Sequence, residues 1–235
     1  MADGAPSLAF LARSGASCLL LPNTPQVNCK VAPKLPIPPG NFKAYLFDCD
    51  GTVADSMPLH YLAWSQALGE WGCKFSEERF YELGGVPIVE IIELLGREQG
   101  IEMPIPQVAK RKEELYFEHL PKLQCVREVQ EHIEVQHGRI PFAIVSGSTR
   151  DSVEASLRTI GLLERFEVLV CAGDYVKSKP DPEPFLMAAE QLGVPPEACL
   201  VFEDTQIGID AAKKAGMEWV LVPPPWERRG KQPQS

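Results

Sequence analysis

Apolar positions fall along this chain in two rhythms. Lys43-Ala44-Tyr45-Leu46-Phe47 is a short run with aromatics that stops at Asp48-Cys49-Asp50-Gly51-Thr52. It is too brief for a helix and reads as a buried strand of a parallel sheet. From 58 to 120 the spacing turns helical. Pro58 suits a first helical turn, and Leu59, Leu62, Ala63, Leu68 and Trp71 recur at helical spacing. Ser76-Glu77-Glu78 reads as a capped second start, Gly84-Gly85-Val86-Pro87 breaks the chain, and Ile88, Ile91, Ile92 and Leu95 resume it. Pro104 to Leu120 holds a fourth helix, with Lys110, Arg111 and Lys112 near its start. So many helices between two strands predict a separate helical insertion rather than a crossover.

Beyond 126 strand and helix alternate. The pattern predicts helices at 126–135, 153–160, 184–192 and 207–215, and strands at 140–145, 166–171, 199–202 and 219–222. Gly161 and Gly216 close two of the helices. Such alternation predicts an α/β fold with a doubly wound parallel sheet. The expected organisation is a Pro-rich N-terminal extension at 1–40, an α/β core from 41–57 and 126–225, a helical insertion at 58–125, and a disordered polar tail at 226–235. Leu8, Phe10, Leu11 and Leu19 to Leu21 would prefer cover, so the extension is expected to lie on the folded domain. The basic stretch that opens a signal peptide is missing ahead of Leu19.

The 235 residues, 45% of them hydrophobic, suffice for a sizeable core. Net charge is −9, and an acidic chain without a basic cluster argues against general nucleic-acid binding, although a local phosphate site needs only one or two cations. No apolar run reaches the length of a membrane span. The seven cysteines are scattered, odd in number and without a CxxC pair, which argues against a disulfide framework or zinc site and favours a reducing cytoplasm. A monomer or weak dimer is expected.

Open α/β sheets bind ligands beyond the carboxyl ends of their strands. Asp48 and Asp50 would stand there, and residues two apart in an extended segment point the same way. Close carboxylates repel unless a cation or shared proton relieves them, and oxygen ligands alone suit Mg²⁺ with a substrate phosphate. An EF-hand is excluded, because Val53 and Leu59 occupy the positions where its Gly and Glu belong. Further polar residues stand at three more strand ends: Ser146 with Gly147, Lys179 in the loop 173–180, and Glu203 with Asp204. Singly, each has a plain alternative. Ser146 to Thr149 could cap the next helix, Lys179 could be solvated, and Glu203-Asp204 could cap the helix near Ile207. Parallel strands present their ends on one rim, where all of them can converge.

The ordered set Asp-x-Asp-Gly-Thr, Ser, Lys-Pro and Glu-Asp closely resembles the haloacid dehalogenase superfamily of phosphotransferases, over about residues 42–222. The finer likeness is to its β-phosphoglucomutase-like subgroup, whose small helical cap follows the first motif, where 58–120 sits. The resemblance implies Asp48 as nucleophile, forming an aspartyl-phosphate, and Asp50 as general acid and base. It implies Mg²⁺ on Asp48, the Asp50 carbonyl and Asp204, with Glu203 assisting. Ser146 and Lys179 would bind the phosphoryl group, and amides around Cys49, Gly51 and Gly147 its remaining oxygens. His60 and Lys112 fall where the subgroup places cap residues facing the substrate, although structural roles for both stay open. The mutase carries an Arg shortly after its Gly-Val turn to grip a distal phosphate. Here Ile88, Val89 and Glu90 follow Gly85-Val86-Pro87, a turn more like that of sugar-phosphate phosphatases. The expectation is a Mg²⁺-dependent phosphatase acting on a small phosphorylated molecule, with a β-phosphoglucomutase-type phosphotransferase as the alternative. A receiver-like signalling module fits less well, because its acidic pair would not come last. A non-catalytic binding module is disfavoured because no core motif residue is missing.

Overall fold

Five strands, β1 (Ala44–Phe47), β2 (Phe142–Thr149), β3 (Val168–Ala172), β4 (Cys199–Glu203) and β5 (Glu218–Leu221), form one parallel sheet in the order β3-β2-β1-β4-β5. The computed structural model describes residues 35–228, without the side chain of Trp226; the expected arm formed by Leu8, Phe10, Leu11 and Leu19 to Leu21 lies outside the described residues. The chain winds outward from β1 to β3, then returns to the far side of β1 for β4. The reversal of strand order falls between β1 and β4, where an open α/β sheet leaves a crevice at its carboxyl edge.

Alternation along the strands sorts the core into two unlike faces. Tyr45 and Phe47 turn to the same side as Phe142 and Phe202, and their rings pack together, Phe47 stacking on Phe202 at 4.7 Å between centroids. Helices α5 (Arg127–Gln136) and α6 (Arg150–Thr159) cover this face through Val129, Ile133, Val153 and Leu157. The opposite face carries Ala44, Leu46, Ala143 and Val145, against Phe185, Ala188, Ala211 and Ala212 of α7 (Glu183–Leu192) and α8 (Gln206–Lys214). Small residues on that side let those two helices lie close to the strands.

The helical insertion comprises α1 (Met57–Gly69), α2 (Glu77–Glu82), α3 (Ile88–Gln99) and α4 (Ile105–His119). Trp64, Leu68, Phe75, Phe80, Ile92, Leu95 and Val108 bury an apolar cluster of their own. Two segments connect it to the sheet, and they pair with one another. Asp55 N–H donates to Gln124 O (2.8 Å) and Val126 N–H to Val53 O (2.9 Å).

Two expectations change. The strand expected to end at Val145 runs on to Thr149, with an irregularity after Val145, so that Thr149 pairs with Ala172 and the following helix starts at Arg150. The tail expected to be disordered from 226 begins as a helical turn, α9 (Pro225–Arg228). Arg228 Nη2 donates to Asp55 Oδ1 at 3.1 Å, both side chains being mostly buried.

Phe142 is fully buried amid Tyr45, Phe47 and Phe166. Phe142→Ala is expected to lower unfolding free energy by about 3–5 kcal/mol, read as a reduced urea midpoint at unchanged slope. A loss below about 1 kcal/mol would show that the aromatic layer does not carry the sheet.

Candidate active site

β1 delivers Asp48 to the crevice; its N–H donates to Phe202 O (2.9 Å), which holds the ends of β1 and β4 together. The chain then folds into a tight loop, with Val53 and Ala54 N–H both donating to Cys49 O and Gly51 N–H to Ala54 O. Gly51 has φ +86°, and a Cβ there would run into the Asp204 carboxylate. Glycine is thus required both for the backbone conformation and for the approach of the acid.

Lys179 reaches back from its loop to the centre of the site. Its Nζ donates to Asp48 Oδ1 (2.8 Å), Glu203 Oε2 (2.8 Å) and Val145 O (2.9 Å). Glu203, almost wholly buried, has its other oxygen bound by Thr205 N–H (3.1 Å) and Thr205 Oγ1 (2.6 Å). Thr205 in turn caps α8 by accepting from Gly208 N–H (3.1 Å). A Cβ at Gly208 would overlap the Glu203 carboxylate. Asp204 points to the same place, and oxygens of Asp48, Glu203 and Asp204 lie within 4.8 Å of one another, a grouping that could hold a metal ion.

The electrostatics fit that use. Burial, reinforced by Glu203, pushes the Asp48 carboxyl up to about 8 against the pull of Lys179. Burial, Glu203 and Asp48 raise Asp204 well above the carboxylate range. Burial alone would depress Lys179, but Asp48 and Glu203 hold its ammonium well above the ordinary value. One ammonium thus serves three acids, and an all-oxygen donor set short of positive charge suits a hard divalent cation.

Asp50 occupies a different setting. Its Oδ1 accepts from Ser56 Oγ (2.6 Å) and lies 3.0 Å from His60 Nε2, while Oδ2 accepts from Ser148 Oγ (2.7 Å). Burial would raise its carboxyl, but His60 and these hydrogen bonds more than offset it and hold the group well below the usual range. His60 stacks on Tyr116 at 4.0 Å, and Tyr116 Oη hydrogen-bonds Ser156 Oγ (2.8 Å) on α6. Burial, then the neighbouring Lys112, lowers the His60 pKa, and its Nδ1 is buried with no hydrogen-bond partner.

The structure therefore brings Asp48, Asp50, Ser146, Lys179, Glu203 and Asp204 to one rim. Ser146 is buried within the irregular part of β2, not capping α6; its Oγ accepts from Ser148 N–H (3.0 Å). Gly147 follows with open space where a Cβ would be. Lys179 is not solvated, and the α8 cap is Thr205 rather than the acidic pair. Lys110 and Arg111 face outward, pairing with exposed acids, whereas Lys112 is buried and bonded to Glu113. Sequence reasoning missed Ser56, Ser148, Thr205, Gly208 and Glu113. Of these, Ser56 and Thr205 carried a readable signal, each being a hydroxyl residue just ahead of a helix start.

Comparison with known proteins gives the class to which this fold and rim belong. The chain belongs to the haloacid dehalogenase-like hydrolase family, whose model matches residues 45–222. It is similar to the fructose-1-phosphate phosphatase YqaB of Escherichia coli, 33% identical over 188 residues, spanning 77% of this chain and 96% of that one. A phosphorylated carbohydrates phosphatase of Thermotoga maritima is 34% identical over 181 residues, spanning 75% and 82%. The solved structure of a β-phosphoglucomutase from Clostridium difficile superposes with a TM-score of 0.66 at 26% identity, covering 76% of this chain and 83% of that one. Among the described residues no helix is long and apolar enough to cross a membrane.

Raised acids make the metal-free fold sensitive to alkali. A carboxyl at about 8 in the folded chain against an ordinary 3.8 binds its proton more tightly when folded. Its stabilising contribution is full below about pH 4 and is lost as pH rises through about 8. The melting temperature of metal-free protein is expected to fall between pH 5 and 8.5, and an added divalent cation to restore it at pH 8. A profile flat over that range, or indifferent to cation, contradicts the reading.

Proposed function

We propose that the chain is a Mg²⁺-dependent phosphatase of small phosphomonoesters, sugar phosphates first among them, working through an aspartyl-phosphate on Asp48. The observation that carries this reading is the Asp48 carboxylate, bonded to a buried ammonium inside an acidic trio at the sheet rim. Two relatives named as phosphatases of phosphorylated sugars support it. Asp48 attacks phosphorus, dividing one hard transfer into two easier ones. Lys179 takes up charge on the phosphoryl oxygens. Ser146 uses its Oγ as acceptor toward Ser148 N–H, leaving its hydroxyl proton to donate to the phosphoryl group. Amides around Gly51 and Gly147 suit the other oxygens. Asp48, Asp204 and the Asp50 carbonyl, with Glu203 beside them, would hold the Mg²⁺, which when bound screens the nucleophile from the anionic phosphate.

Asp50 protonates the leaving alkoxide and then deprotonates water. Its donors Ser56 and Ser148, with the His60 ring, favour the ionised form, so the site as described is set for the water-activating half. The acid half requires a proton on Asp50, which must loosen those contacts. Residues 58–125 act as a cap whose Gly85 turn meets Ile207 at the start of α8, and His60 and Lys112 bring this cap to the substrate.

A second reading, a β-phosphoglucomutase-type transferase, draws on the solved structure of such a mutase. The segment Ile88-Val89-Glu90 supplies no cation for a second phosphate, which favours water as acceptor. Isomerisation of β-glucose 1-phosphate, primed with a trace of bisphosphate and without free phosphate, would reverse the order of the two readings.

Metal-dependent phosphate release from p-nitrophenyl phosphate and sugar phosphates is expected. Asp48→Asn should abolish it, and Asp50→Asn should reduce kcat by about 10²–10⁴-fold. Retention of more than about a tenth of the rate by Asp48→Asn would remove the covalent route.

A further inference from the structure

Lys112 and Glu113 are adjacent on α4, and consecutive residues on a helix do not ordinarily face one another. Here both bend to the same interior: Lys112 Nζ lies 2.7 Å from Glu113 Oε1, with side-chain exposures of 5% and 29%. The ammonium also sits over the rings of Tyr116 (5.6 Å) and Trp64 (5.9 Å). The second Glu113 oxygen accepts from Ser152 Oγ (2.9 Å) on α6, so this carboxylate joins the insertion to a helix of the core. The pair is next to His60, whose pKa feels both charges. Tyr116 carries the His60 ring on one contact and the Lys112 ammonium on another, and His60 Nε2 lies 3.0 Å from Asp50 Oδ1, so the Lys112–Glu113 pair stands on the Asp50 side of the site.

We infer that Glu113 is a specificity-determining residue: by spending the Lys112 charge, it selects phosphomonoesters whose remaining groups are neutral hydroxyls over bisphosphates and phosphorylated carboxylates. The inference rests on the phosphatase reading above. A second anion could claim Lys112 only by breaking the ion pair and leaving half-buried Glu113 with Ser152 alone, and it would meet the Glu113 carboxylate at short range. A hydroxyl asks for less. It can use a free lone pair of Glu113 or the unpartnered Nδ1 of His60 without separating any charge.

The near-isosteric pair glycerol 3-phosphate and 3-phosphoglycerate, which differ by a hydroxymethyl against a carboxylate, tests this. Each is measured as a competitive inhibitor of p-nitrophenyl phosphate hydrolysis by the full chain with Mg²⁺. Wild type is expected to bind the glycerol ester more tightly. Glu113→Gln should move the ratio of inhibition constants toward the acid by about tenfold. Glu113→Asp should restore the wild-type ratio, and Ser152→Ala, which removes the bridge but keeps the charge, should leave it in place. Glu113→Asn serves where the glutamine variant does not fold. A wild-type preference for 3-phosphoglycerate, a ratio unmoved in the neutral variants, or an equal shift in Ser152→Ala would each overturn the inference. Absence of any p-nitrophenyl phosphate hydrolysis by wild type is a different failure, that of the phosphatase reading itself, and the inference would fall with it.

Discussion

One ammonium buried among acids is the constraint that the rest of the structure serves. Lys179 spends its three donors on Asp48, Glu203 and Val145 O, tying together residues from β1, β2 and β4. Such a cluster is costly to bury, and it persists because every partner is fixed elsewhere. Thr205 saturates the far oxygen of Glu203, and glycines at 51 and 208 clear the space that two carboxylates occupy. The residual surplus of negative charge is what a divalent cation would relieve.

The sheet supplies the rigidity that this arrangement needs. Its aromatic face locks β1 between β2 and β4 through stacked and edge-on rings, while the small-residue face lets α7 and α8 pack close. Functional groups held on strand ends over such a packed layer move little, whereas the insertion, with its separate apolar cluster, contributes groups whose position depends on docking. The two halves of the site differ accordingly. The acids grouped closely enough to hold a cation stand at the sheet's strand ends, and the partners of Asp50 straddle both parts.

Much of this was legible in the residues. The run 44–47, the alternation beyond 126 and the four polar stations at strand ends each report a local pattern, and local patterns suffice to place them on one rim. What escaped detection depended on contacts between distant elements. Nothing near Ser148 or Ser56 in the chain signals that both would donate to Asp50, and the run Lys110-Arg111-Lys112 singles out its inward cation only through the family resemblance, which pointed to the buried Lys112. The extension of β2 through Thr149 was hidden because Ser146 to Thr149 reads as a cap for the next helix, while pairing with Ala172 resumes beyond the irregularity. The helical turn ending at Arg228 was hidden for a related reason, since the partner of Arg228, Asp55, lies far away in the chain.

The paired connection beneath the insertion has a mechanical meaning. Because Val53 to Asp55 and Gln124 to Val126 are laced by backbone hydrogen bonds, they behave as one ribbon rather than two independent tethers. A ribbon bends readily across its flat side and resists shear in its own plane, so tilting is the soft direction for the helices above. Arg228, clamped to Asp55 on that ribbon, makes the last described turn of the chain a brace on the pivot.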